Sequence, residues 1–372
     1  MRILPALQAI EEAARRALFT SLMRRTTRGR TGHSNERPSL RNRPFRVLVI
    51  MEDAIGDMVL SLPAIRAIAE SHAHSVVDVV TWPIPAQMLE GASYIRNTIV
   101  FPRGDHRRLH AANAIRKHGP YDVVVDGMVL CRHVRSRSFA MMLASGAHTW
   151  IGEDDRGSDY LLSVTVPRAE APVTHLARML SLATPFYEVP LSPSRPQLAV
   201  SDEERSSAAR LWGHARSGPR ILVNVSTNGS ERQWPREAFR EVVRHIRKRS
   251  VVANVIVIGM ERDRVLAEFV AEGAVRVVMP NIRELLSLIE SAELVVSPDT
   301  SVCHMASAFL RPLVSIHNSQ KAQWLPFDTP GVRVIGPAPE DLSLVTLDRV
   351  CAAIEDTFDL IGFEAAGQQL AV

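Results

Sequence analysis

Cysteine is scarce in this chain of 372 residues: Cys131, Cys303 and Cys351 stand far apart and match no metal spacing. That excludes a disulfide framework and a cysteine-built zinc site, and reduced thiols point to the cytoplasm. Long apolar runs are lacking too. The longest, such as Val47–Met51 and Val123–Val125, are strand-sized, well short of the ~18–20 residues a membrane span needs. No compact apolar stretch with small cleavage residues marks the N-terminus, so no secretory signal is read. The hydrophobic content of 46% and charged content of 23% are those of a soluble globular chain rather than a disordered one.

Acidic residues are nearly missing from one region only. Residues 1–46 carry eleven arginines against Glu11, Glu12 and Glu36, a local charge of +8 within a chain at +4. The folded body is therefore acidic, and the basic balance is no sign of nucleic-acid binding. Within the arm, Leu7, Ile10, Ala14, Leu18 and Leu22 recur at helical spacing, and the stretch Arg24–Pro44 has no periodicity. Two readings stay open. The arm touches an anionic membrane face, such as the inner one, or a partner as an amphipathic basic segment, or it is a solubilising extension whose helix packs on its own protein or on a second copy.

From Phe45 onward, apolar strands alternate with helices, which means parallel sheets covered on both faces. The strands read are Arg46–Met51, Val76–Thr81, Thr98–Phe101, Asp122–Asp126, Arg220–Val225, Asn254–Ile258, Val275–Val278, Leu294–Ser297 and Leu313–His317. The stretch from Pro185 to Pro196 holds four prolines and interrupts the pattern. A single core stops growing near ~250–300 residues, so two doubly wound, Rossmann-like α/β domains facing a cleft are expected. Their limits are 45–188 and 201–345, with a linker at 189–200, the arm at 1–44 and a C-terminal helix and tail at 346–372.

Three turns carry the chemistry. After the first strand comes Met51-Glu52-Asp53-Ala54-Ile55-Gly56-Asp57. A Gly-Asp pair at a strand's carboxyl end puts Asp57 where open α/β sheets bind ligands, as a general base. Equally, Asp57 caps a helix that starts at Met58. The turn lacks the G-x-G-x-x-G fingerprint of dinucleotide enzymes. After Leu294–Ser297 comes Pro298-Asp299-Thr300-Ser301-Val302-Cys303-His304, small and polar residues opening a helix. Free N–H groups there suit a diphosphate, with Thr300, Ser301 and His304 as added donors. After Arg220–Val225 comes Ser226-Thr227-Asn228-Gly229-Ser230-Glu231-Arg232, a phosphate grip with Arg232 as bidentate cation or, equally, a loop in which Arg232 is a solvated surface charge. Trp234-Pro235 is read as fixing this loop.

Together these segments resemble glycosyltransferase family 9, the ADP-heptose:lipopolysaccharide heptosyltransferases. "VLVIMEDAIGDMVLSLPAIRAI" looks like its opening strand, Gly-Asp turn and helix. "ILVNVSTNGSERQWPREAF" is similar to its basic-x-Trp-Pro loop, and "SPDTSVCHMASA" to its Asp-Thr/Ser-x-x-x-His-x-x-Ala signature. The likeness implies a GT-B fold and inverting transfer of a sugar, heptose foremost, from a nucleotide-diphosphate donor, ADP-heptose favoured. The acceptor would be a glycan or glycolipid hydroxyl in lipopolysaccharide or other surface-glycan synthesis. It implies Asp57 as base, with Gly56, Glu52 and Asp53 beside the acceptor. Donor contacts would be Ser226, Thr227, Arg232, Asp299, Thr300, Ser301 and His304, with Glu261 at the ribose and Met279 at the nucleobase. No metal or other cofactor is expected, and the sequence holds no Asp-x-Asp pair to bridge one to a diphosphate.

Four features depart from the family's pattern. Met51 replaces a common Lys or Arg, and Glu52 and Asp53 replace neutral residues. Ser301 stands where glycine is frequent, and His317-Asn318-Ser319-Gln320 replaces a Phe-Gly-Pro-Thr loop. Two acids there would repel a phosphorylated, carboxylated acceptor, so a less anionic acceptor is expected. A sugar-nucleotide epimerase of the same fold, which needs no acceptor-side base, and a non-catalytic nucleotide-binding scaffold are the competing readings.

Overall fold

Runs such as Val47-Leu48-Val49-Ile50-Met51 are apolar on both faces, so they form interior strands of sheets covered on both sides. In the computed structural model, residues 40, 44–102, 108–127, 135–154, 162–168, 173–213, 218–229, 232–317, 322–337 and 341–362 are described. The basic arm's helix and linker lie outside them. Contacts divide the chain into two units. The first takes the described residues of Met1–Ala54, Pro63–Ala86 and Ser93–Pro193, and the second those of Ile55–Leu62, Gln87–Ala92 and Ser194–Val372.

The first unit is built on β1 (Arg46–Met51), β2 (Val76–Thr81), β3 (Ile95–Val100), β4 (Val123–Asp126), β5 (Thr149–Glu153) and β6 (Val164–Val166). All pairs are parallel, in the order β3-β2-β1-β4-β5-β6. Helix α1 (Ile55–Glu70) follows β1, α2 (Arg108–His118) precedes β4, α3 (Arg135–Ala144) follows β4, and α4 (His175–Ser181) follows β6. The expectation at 98–101 finds its strand three residues earlier. β5 and β6 were not read from the sequence, because each is short and flanked by polar residues.

In the second unit, α5 (Asp202–Trp212) leads to β7 (Arg220–Asn224), α6 (Arg236–Arg249), β8 (Asn254–Ile258), α7 (Arg264–Ala271) and β9 (Arg276–Val278). Next come α8 (Ile282–Glu290), β10 (Leu294–Pro298), α9 (Ser301–Ala308), β11 (Leu313–His317), β12 (Gly331–Ile335) and α10 (Leu347–Leu360). The sheet, again parallel, runs β12-β11-β10-β7-β8-β9. Helix α6 buries Phe239, Val242, Val243 and Ile246, one stripe at helical spacing. Two capping boxes start α5 and α8, Ser201 with Glu204 and Asn281 with Glu284.

Candidate active site

β7 ends at Asn224, a buried amide that closes an apolar strand and must find partners. Its Nδ2 lies 3.2 Å from Ser226 O, 3.0 Å from Ser297 Oγ and 3.2 Å from Thr300 Oγ1. Its Oδ1 accepts from the Ser226 N–H at 3.1 Å. One side chain thus ties the turn after β7 to the turn after β10, the two neighbouring strands at which this sheet changes direction.

Helix α9 begins immediately after that tie. Thr300 caps it, its hydroxyl accepting from the Val302 N–H at 3.3 Å. The start of a helix carries partial positive charge, and Thr300, Ser301 and the buried His304 stand in the first turn of α9, where the Val302 and Cys303 N–H groups already bond to Thr300. Asp299 supports the turn from below: its carboxylate is 3.6 Å from His317 Nδ1 at the end of β11, and both are buried. Burial pushes the His317 imidazole below its ordinary pKa; the Asp299 carboxylate opposes that and Arg333 adds to it. Burial also pushes the Cys303 thiol up to about 12, so this sulfur stays protonated and is no nucleophile.

In the loop after β7, Ser226 Oγ donates to Asp263 Oδ2 at 2.5 Å, and Arg262 donates to Thr227 O at 2.7 Å. Thr227 Oγ1 lies 3.1 Å from Gln233 Oε1. Arg232 is half-buried at the loop's end. Trp234 is fully buried, its indole donating to Val345 O at 2.9 Å, and Pro235 occupies the cap position before α6 rather than the first turn. Met279 joins the same wall: a Cβ added to Gly259 would lie 3.7 Å from its sulfur and 3.5 Å from Val225. Glu261 stands apart. Its side chain is 73% exposed and pairs with Arg264 at 2.7 Å. Asp263, two residues on, is the acid that reaches the loop.

The first turns of α1 group with this second unit. A Cβ on Gly56 would fall 2.9 Å from His304 Cδ2, so only glycine permits the approach to α9. Asp57 is the third residue of α1, and the cap position is Ala54, which makes no side-chain cap bond. The alternative that Asp57 caps a helix beginning at Met58 is thereby overturned: the helix starts three residues earlier. Asp57 Oδ1 instead accepts from the Trp324 indole N–H at 2.8 Å.

At the strand ends of the first unit the chemistry is acidic. Glu52 is buried directly after β1, and Asp53 is half-buried. Asp126 ends β4 and accepts from Ser138 Oγ at 3.2 Å. Glu153 ends β5 in a buried ion pair with Arg178. Asn224, Asp263, Trp324, Asp126 and the Glu153–Arg178 pair were not read from the sequence. For Asn224, Asp126 and Glu153 the available signal was a polar residue terminating an apolar strand. Among the described residues, no group of three or more His, Cys, Asp or Glu side chains is placed to hold a metal ion.

The family model described as "Glycosyltransferase family 9 (heptosyltransferase)" matches residues 111–337. The chain belongs to glycosyltransferase family 9. Its structure is similar to a glycosyl transferase family 9 protein from Veillonella parvula DSM 2008, at 16% identity, 85% coverage of this chain, 97% of that one and a TM-score of 0.76. It is also similar to E. coli ADP-heptose lps heptosyltransferase II, at 18% identity, with 85% and 99% covered and a TM-score of 0.67. With E. coli heptosyltransferase WaaC bound to ADP the identity is 18%, with 84% and 99% covered and a TM-score of 0.66. A search of curated protein sequences finds no match.

These likenesses fix the fold as GT-B-type, two Rossmann-like units, and the protein as a glycosyltransferase. In this family 9 enzyme, no helix among the described residues is long and apolar enough to cross a membrane.

Proposed function

We propose that this glycosyltransferase moves heptose from ADP-heptose to a glycan or glycolipid hydroxyl, with inversion and without a metal ion, in surface-glycan synthesis. The observation that carries the reading is the contact of Gly56 with His304. It sets Gly56, the residue before Asp57, against the first turn of α9, where an added Cβ would also lie 3.7 Å from Ser301 Cα. In the reaction, Asp57 takes the proton of the acceptor hydroxyl as its oxygen attacks the anomeric carbon. The bond from that carbon to the diphosphate breaks on the opposite face. The leaving diphosphate gains charge, which the N–H groups of α9, the Thr300 and Ser301 hydroxyls, His304 and Arg232 stabilise. Ser226 and Thr227 shape the loop that carries Arg232, and Asp299 holds the turn beneath.

The nucleotide assignment is supported by similar E. coli heptosyltransferase structures described with ADP and with ADP-2-deoxy-2-fluoro heptose. Met279 and Gly259 form the wall assigned to the base. For the ribose, two acids after β8 are placed: the exposed Glu261, which pairs with Arg264, and Asp263, which accepts from Ser226.

The acceptor is less anionic than a phosphorylated, carboxylated inner core, since Glu52 and Asp126 stand at the ends of adjacent strands of the first sheet. The test is transfer of heptose by purified protein in EDTA to neutral and anionic acceptors, with product stereochemistry read by NMR. Inverted product on neutral acceptors in EDTA is expected. Transfer that requires added metal, or that runs as fast to Kdo-lipid A, would sink the corresponding part.

A further inference from the structure

The chain departs from the family's pattern at His317-Asn318-Ser319-Gln320, and Trp324, further along, donates to Asp57. The indole is a donor only, with a single N–H, so the bond to Asp57 Oδ1 at 2.8 Å has one polarity. The distance is that of a charge-assisted N–H···O⁻ bond. Both side chains are half-buried, which strengthens the bond over one in open water. The carboxylate's own turn is fixed as well. Ser61 Oγ donates to the Asp57 carbonyl at 2.6 Å, and Gly56 rests against the His304 ring.

We propose that Trp324 is a positioning residue for transfer: its indole N–H sets the direction and the ionised state of the Asp57 carboxylate. This rests on the reading of Asp57 as the base. A hydrogen bond to the charged form of an acid favours that form, so the indole keeps Asp57 deprotonated at lower pH than it would otherwise be. It also restricts rotation about the carboxylate's own bonds, which a base that meets its hydroxyl in one geometry requires. Among titratable groups, His304 of α9 packs against Gly56, the residue before Asp57. Trp324→Phe adds and removes no titratable group, so a shift of its pH profile reports the indole.

The experiment is full pH profiles of kcat and kcat/KM for the intact protein and for Trp324→Phe, Trp324→His and Asp57→Asn, with ADP-heptose as donor. Trp324→Phe is expected to lower kcat about tenfold and move the acidic limb up by about one pH unit, with donor KM within twofold. Trp324→His, which retains a ring N–H, is expected to restore the limb towards its original position. If Trp324→Phe leaves both kcat and the limb unchanged while Asp57→Asn is inactive, the proposal fails and the base stands. The proposal fails equally if the His and Phe variants lose activity alike with the limb unmoved, since packing alone would then account for Trp324. If Asp57→Asn transfers at the original rate, the base reading fails and takes the proposal with it.

Discussion

The two sheets share one topology and differ in what their strand ends offer. Counted along each unit, both run in the order 3-2-1-4-5-6. The ends of β1, β4 and β5 present Glu52, Asp126 and the Glu153–Arg178 pair, and the ends of β7 and β10 with the turns after them present Asn224, Ser226, Thr227, Ser297 and Thr300. A helix start with uncharged donors attracts a diphosphate; buried carboxylates at the equivalent places do not. Topology supplies the position of a site, and the side chains at the strand ends choose the sign of its ligand.

The sharpest way to break that contrast is at Asp57, a carboxylate of the helix after β1 that groups with the second unit. Asp57→Asn keeps the shape and removes the base, and kcat is expected to fall about 10³-fold with ADP affinity unchanged, read by steady-state kinetics and calorimetry. A fall below tenfold would deny Asp57 the role.

The next effect concerns a carboxylate that the first unit uses for folding. Asp78 inside β2 is fully buried and accepts from Arg96 at 2.9 and 2.6 Å, Tyr121 OH at 2.6 Å and Asn97 at 3.1 Å. Burial pushes its pKa up, but the bonds from Arg96, Tyr121 and Asn97 outweigh that and hold it below the ordinary 3.8. Its contribution is therefore present above the ordinary value and lost as pH falls through the lowered one. Asp78→Ala should cost about 3–5 kcal/mol in urea unfolding at pH 7. The gap to the original protein should narrow only below about pH 4.

The smallest effect is at Glu52. Glu52→Gln is expected to raise the rate ratio of anionic over neutral acceptors about threefold, measured by competition between two acceptors. No change would free the acceptor question from this residue.

Much of this was legible before the structure. The strand–helix alternation gave both sheets, because interior parallel strands are apolar throughout and cannot hide in the pattern. The helix start at Ser301 was legible because small polar residues follow an apolar strand there. The short strands β5, β6 and β12 were not, since glycine, proline or polar residues interrupt or flank their few apolar positions. Asp57 was ambiguous because a cap and a first-turn residue look alike when the helix start is uncertain by three positions. Glu261 was placed by position along a family pattern, and the structure engages it with Arg264. Trp324 had no signal at all, since the bond to Asp57 joins residues far apart in the chain.

The most direct test of the donor site is ADP titration by calorimetry, without magnesium, of the original protein and of Ser301→Asp. An aspartate in the first turn suits the helix dipole, so unfolding without nucleotide should occur no earlier than in the original protein. The same charge opposes a diphosphate, and ADP affinity should fall at least about 30-fold. Equal affinity in the two proteins, or no binding of ADP by the original one, would contradict a donor site at the start of α9.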